Sequence, residues 1–166
     1  KVIVKPINLK KSTGKELQDN SLLFRLGDRE HSKGILQSQI KSINQSNQTT
    51  ILALHKAKEL AIEMYDSLKE NDLTKFSDIL NRGWEAKRDY TKGVSNKRIE
   101  MVSKKAIENG AQALKVTGAG GGGHFFIYAS PSKHRSIINS LKKLGVSNVD
   151  FKYQNQGAKV FEINNL

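Results

Sequence analysis

Residues 115–128 read K-V-T-G-A-G-G-G-G-H-F-F-I-Y, with five glycines among the six positions from Gly118 to Gly123. Glycine loses more backbone freedom on folding than any other residue, so such a run is costly unless something must approach the bare backbone. A hairpin turn needs only one or two. The flanks decide what kind of loop this is. Ala113, Leu114 and Val116 read as a short strand and Phe125 to Ala129 as another, so the glycines join two strands. Gly118, Gly120 and Gly123 satisfy the G-x-G-x-x-G spacing of a dinucleotide loop, but that loop must open a helix whose N-terminus meets the pyrophosphate. Here a strand follows, and the match is spurious. Gly118 and Gly123 also have the spacing of a nucleotide P-loop, yet His124 and Phe125 stand where the lysine and the hydroxyl belong. What remains is strand, glycine loop, strand, with bare N–H groups that suit an anion or a closely packed neighbouring domain.

Working outward, Ser21 to Leu26 (S-L-L-F-R-L) predicts a strand ended by Gly27-Asp28. Residues 10–20 read as a polar loop, and Val2 to Ile7 as an edge strand, because Pro6 cannot donate to a ladder. From Ser32, Ile35, Leu36, Ile40 and Ile43 recur at helical spacing. A longer helix begins near Thr49 or Thr50 and stops near Asn71-Asp72. Its stripe is Ile51, Leu54, Ala57, Ala61, Met64 and Leu68, with Leu60 beside it. Thr74 is placed to cap the next helix, whose face is Phe76, Ile79, Leu80, Gly83, Trp84 and Lys87. After the turn Gly93 to Asn96, Ser95 or Asn96 caps a helix carrying Ile99, Val102, Ala106 and Ile107, which stops at Asn109-Gly110. Beyond the glycine loop, Ser132 caps a helix with Ile137, Ile138, Leu141 and Leu144. Two short strands follow, near residues 149–153 and 159–163. Without the extra elements the order is strand, helix, strand, strand, helix, strand. That is the α+β, ferredoxin-like split βαβ pattern, an antiparallel sheet with helices packed on one face.

Composition narrows the chemistry. Cysteine is absent, which excludes disulfides, zinc–thiolate sites and cysteine nucleophiles. The formal charge is +12, but no basic run exceeds two residues, so the charge reads as solvated lysine-rich faces. No apolar run has the length of a membrane span and the start is too polar for a signal peptide, so no membrane partner is expected and a cytoplasmic setting fits. The chain lacks an initiating Met, which predicts a piece of a longer protein. An RNA-recognition module shares the βαββαβ order, and residues 123–129 partly mimic its third-strand signature. Against it, Phe125 takes a small-residue position, Ala129 replaces the last aromatic, and no cation precedes Gly123, so no nucleic-acid partner is expected. A non-enzymatic small-molecule regulatory domain on the same scaffold is the other alternative.

K-V-T-G-A-G-G-G-G at 115–123 resembles the third conserved motif of the GHMP small-molecule kinases. L-L-F-R-L-G-D-R-E-H-S-K-G-I-L at 22–36 resembles the strand-to-helix segment that opens their C-terminal domain. W-E-A-K-R-D-Y-T-K-G-V-S-N-K-R-I-E at 84–100 is most similar to the sugar-kinase branch. The resemblance implies a junction remnant over residues 1–20 and a GHMP C-terminal domain over 21–166. It implies ATP and Mg²⁺ as cofactors, and a phosphorylated sugar as acceptor. Within that branch the expected sugar is a heptose 7-phosphate, converted to the 1,7-bisphosphate for surface polysaccharide precursors; the galactokinase, fucokinase and mevalonate kinase types are the alternatives. It also implies that Thr117, Gly118, Ala119, Gly120, Gly121, Gly122 and Gly123 form a wall of the active site. Arg29 and His31, beside the expected end of a strand, are candidate substrate contacts, as is His124, which departs from the apolar or small residue more usual in the family. No catalytic residue or metal ligand is assigned within the chain. The family's phosphate loop, P-x-x-x-G-L-G-S-S-A, does not occur in it. The expected partners are therefore an N-terminal kinase domain and, as a further candidate, a second copy in a homodimer. The chain alone is expected to be inactive.

Overall fold

In a computed structural model, residues 3–4, 6–27 and 32–154 are described. The elements are α1 (Lys11–Asp19), β1 (Ser21–Gly27), α2 (Ser32–Asn44), α3 (Gln48–Glu70), α4 (Leu73–Arg88), α5 (Lys97–Glu108), β2 (Ala113–Val116), β3 (Gly123–Tyr128), α6 (Pro131–Lys142) and β4 (Ser147–Val149). The four strands form one sheet in the order β2-β3-β1-β4, and each neighbouring pair is antiparallel. This is the ferredoxin-like arrangement expected from the element order. No helix among the described residues is long and apolar enough to cross a membrane.

Strand alternation divides the side chains between two faces. On the first, Phe24, Val116, Phe125 and Ile127 are fully buried beneath Val102 and Ala106 of α5 and Ile137 and Leu141 of α6. The second face was expected to be free of helices, but it is partly covered. Leu17 of α1 and Leu73 and Phe76 of α4 cluster there with Ala113 and Tyr128, and the Phe76 and Tyr128 rings meet edge-on at 5.4 Å. Met64 and Leu68 of α3 pack against the same cluster, so the residues that cover the face come from separate segments and no single periodic stripe announces them.

Helix boundaries follow from capping. Asn47 accepts from the Thr50 N–H at 3.0 Å and Asn96 from the Ile99 N–H at 3.0 Å, each satisfying an otherwise unpaired first-turn donor. Two expected caps are displaced. Asp72, not Thr74, caps α4 by accepting from the Lys75 N–H at 2.8 Å. Ser130, not Ser132, holds the N-cap position of α6, with Pro131 in its first turn. Residues 11–19 form a helix rather than a loop, because burial of Thr13 and Leu17, four residues apart, overrides poor local propensity. Ile3, Val4, Pro6 and Ile7 belong to no strand, and residues 2 and 5 lie outside the described residues. Of the two final strands, one is observed as β4, slightly earlier than expected; residues 159–163 lie outside the described residues. In α3 the buried row is Thr50, Ala53, Leu60 and Ser67, rotated from the expected stripe, and Ala61 is exposed.

Helix α4 straddles one edge of the sheet. Phe76 belongs to the second-face cluster while Trp84, two turns on, belongs to the first-face core. Between them the Asn81 amide takes the place of a neighbouring strand. Its Nδ2 donates to the Gln112 carbonyl at 2.9 Å and its Oδ1 accepts from the Leu114 N–H at 3.2 Å. Further along, the Lys87 Nζ donates to the Val116 carbonyl at 3.1 Å.

Candidate active site: the glycine loop and its base

The loop leaves β2 at Val116 and enters β3 at Gly123. Gly118, Gly120, Gly121 and Gly123 adopt φ of 72, 105, 74 and 82°, a region that side chains with a Cβ rarely occupy. Only part of this backbone is bare toward solvent. Gly118 is exposed, Thr117, Ala119 and Gly121 are half-buried, and Gly120, Gly122 and Gly123 are buried. What approaches Gly120 is the protein itself. A Cβ there would meet the Val94 carbonyl oxygen at 2.8 Å and the Val94 Cα at 3.0 Å; one on Gly121 would meet the Ile35 Cδ1 at 2.5 Å. The Gly121 N–H donates to the Val94 carbonyl at 2.9 Å, and the Asn96 Nδ2 donates to the Gly121 carbonyl at 3.0 Å. The N-cap residue of α5 thus also pins the loop.

At the loop's other end Lys87, a residue only 7% exposed, donates from its ammonium to the carbonyls of Val116 and Gly118. Thr117, between them, turns its hydroxyl onto the His124 carbonyl at 3.2 Å, and its N–H donates to the same oxygen at 2.9 Å. His124 is half-buried on the second face of the sheet, in register with Arg25 across β3 and β1. Lys115 lies on that face too, and burial pushes its ammonium pKa down from the ordinary lysine value. Arg29 and His31 lie outside the described residues. Elsewhere, His55 and Lys92 are exposed, and Arg88 pairs with Glu100 at 3.0 Å.

Shallow cavities of about 410 Å³ flank the two ends of the loop. One is lined by Leu26, Gly27, Asn96, Arg98, Gly121 and Gly122, the other by Lys87, Lys115, Thr117, Gly118 and Phe126 among others. The Arg98 guanidinium in the first is engaged, donating to the carbonyls of Leu26 and Leu144 at 3.2 Å each. Among the described residues no group of three or more His, Asp and Glu side chains could hold a metal ion. The sheet face that an RNA module needs open is covered at Tyr128 and half-covered at Phe126. Sequence reasoning missed Lys87 and Val94 as holders of the loop. The available signal was a lysine on a buried helical face, three residues after Trp84.

Residues 64–147, just over half of the chain, match the family described as GHMP kinases C terminal. Over 163 residues the chain is 31% identical to the D-glycero-alpha-D-manno-heptose 7-phosphate kinase of Campylobacter jejuni, covering 98% of this chain and 48% of that protein. The crystal structure of a sugar kinase from Campylobacter jejuni superposes with a TM-score of 0.64 at 28% identity, covering 95% of this chain and 43% of the other. The L. major mevalonate kinase shares the fold, with a TM-score of 0.67 at 19% identity over 84% of this chain and 40% of that one. The chain spans less than half the length of each of these relatives.

Proposed function

The chain belongs to the GHMP kinases, as a C-terminal domain of that family, and from that premise we propose that the whole protein is an ATP-dependent sugar kinase acting on D-glycero-D-manno-heptose 7-phosphate. The observation that carries the reading is the 31% identity to a kinase of that name, sustained over 98% of the chain. In the proposed reaction a sugar hydroxyl oxygen forms a bond to the γ-phosphorus of ATP while the bond to the β–γ bridging oxygen breaks. ADP leaves, the hydroxyl proton passes to a base in the N-terminal half, and the product is the 1,7-bisphosphate. Such transfer is catalysed chiefly by positioning and by stabilising charge on the moving phosphoryl group.

This domain's share is the wall of the cleft. Thr117 and Gly118 form its lip, where backbone approaches phosphate without a side chain intervening, and Gly120 to Gly123 form its packed root. Arg29 and His31, which follow β1 in the sequence, and His124, at the start of β3, are the proposed substrate contacts. Mg²⁺ supplies charge neutralisation when bound, with ligands contributed from the N-terminal half. The product feeds surface polysaccharide precursors in the cytoplasm.

The test is a substrate panel on the full-length protein, followed by ³¹P NMR. Heptose 7-phosphate is expected to yield a bisphosphate and ADP, with galactose, fucose and mevalonate at least about tenfold slower in kcat/KM, a discrimination of about 1.4 kcal/mol. Preference for any of those three overturns the substrate assignment. The 166-residue chain alone is expected to form no sugar phosphate from ATP, and turnover by it refutes the two-half site.

A further inference from the structure

A single segment grips the glycine loop at both ends. At one end the Lys87 ammonium holds the carbonyls of Val116 and Gly118, which bracket Thr117. At the other, Val94 and Asn96 hold the N–H and the carbonyl of Gly121, and Val94 fills the space beside Gly120. Between Gly118 and Gly123 only Ala119 has a side chain, so the loop has almost no packing of its own with which to fix its shape. Its backbone is soft by composition, and its conformation is therefore set from residues 87–96.

Within that segment Lys87 is the unusual member. A buried cation is costly unless its charge is met by hydrogen bonds. A neutral amide meets a comparable need at the start of β2, where Asn81 serves. The ammonium holds the carbonyl of Gly118, the one exposed glycine of the loop and the spot a phosphoryl group would approach. We propose that Lys87 is a positioning residue for phosphoryl transfer. It acts through the carbonyls of Val116 and Gly118, fixing the Thr117–Gly118 lip, and it does not touch the substrate. This rests on the kinase reading above.

Two measurements on the full-length protein separate the two ideas. Hydrogen exchange of the amides from Thr117 to Gly121 reads the loop directly and needs no activity. In Lys87→Met these amides are expected to exchange about tenfold faster or more, as local opening becomes easier, while Asn81→Ala leaves them unchanged. Steady-state kinetics read the consequence. Lys87→Met is expected to lower kcat by about 10–100-fold, the scale of a 1 Å misplacement, with sugar KM shifted by less than about threefold. Lys87→Arg is expected to recover a substantial part of kcat, which a purely packing role would not produce. Unchanged exchange in Lys87→Met, or kcat falling only in proportion to the folded fraction, overturns the proposal. If Lys87→Met does not fold, Lys87→Gln, which keeps a donor and loses the charge, is read by the same two criteria. A wild-type protein without kinase activity overturns the function, and the exchange result still decides whether Lys87 sets the loop.

Discussion

The two ends of β2 are held by the same helix in different ways. At its start Asn81, a half-buried neutral amide, pairs with the strand as a neighbouring strand would, one donor to one carbonyl and one acceptor for one N–H. At its end Lys87, a buried cation, donates to the carbonyls of Val116 and Gly118. The first arrangement completes a sheet edge cheaply, because each group finds a partner of like polarity. The second carries the desolvation cost of an ammonium. That cost appears where β2 gives way to the glycine loop, so the helix keeps an edge closed at one end and holds the glycine loop in shape at the other.

The comparison breaks most readily at the loop end. Gly120→Ala is expected to destabilise by about 3–5 kcal/mol, since it adds a strained φ of 105° to a collision with the buried Val94 backbone. Chemical denaturation of this variant beside Gly145→Ala is the check. Gly145 has a φ of 69° and only the Arg98 Nη2, at 3.9 Å, near its Cβ position, so about 1 kcal/mol is expected there. Equal losses at the two glycines would mean that Val94 yields and the loop is not tightly based.

Next in size is Lys87→Met, expected to cost about 2 kcal/mol by leaving the buried Val116 carbonyl and the part-buried Gly118 carbonyl short of a donor, against about 1 kcal/mol for Asn81→Ala. Urea midpoints at matched slopes measure both. A larger loss at Asn81 would reverse the contrast between the two ends.

The smallest effect concerns Lys115, on the strand between them. Burial disfavours its charged form in the folded state, so just below the ordinary lysine pKa the unfolded chain binds more protons. Its contribution to stability therefore rises with pH, and the penalty is greatest near neutrality. Lys115→Met is expected to gain under about 1 kcal/mol at pH 7, with the gain shrinking as melting is followed toward pH 10. A pH-independent difference would remove the burial argument for this residue.

Much of this arrangement is legible in the sequence, and the gaps have physical causes. Rejecting the dinucleotide fingerprint depended on a strand following the glycines, and β3 indeed begins at Gly123 itself. The ferredoxin-like order and the Asn96 cap are written in short-range patterns of turn residue and period. Helix α1 is not, because K-S-T-G-K-E-L-Q-D has a glycine inside and no capping side chain; it is held by Leu17 against residues more than fifty positions away. The glycine run announces that something comes close, but composition does not distinguish a ligand from the chain's own backbone. For Gly120 the neighbour is Val94, and for Gly121 it is Ile35 and the 93–94 turn. Lys87 sits on a helical face with Trp84, where its position signalled burial without revealing what the ammonium would hold.

The way α4 lies along β2 has a further consequence, for behaviour in a crowded solution. An open strand edge is a template on which another chain can add a strand, and proteins that leave one bare are prone to self-association. With Asn81 on the Gln112 carbonyl and the Leu114 N–H, and Lys87 on the Val116 carbonyl, that side offers a second molecule a ladder already interrupted at three groups. Asn81→Ala should therefore show itself in light scattering at high concentration as well as in melting. The helix that shapes the loop also helps keep copies of the protein apart.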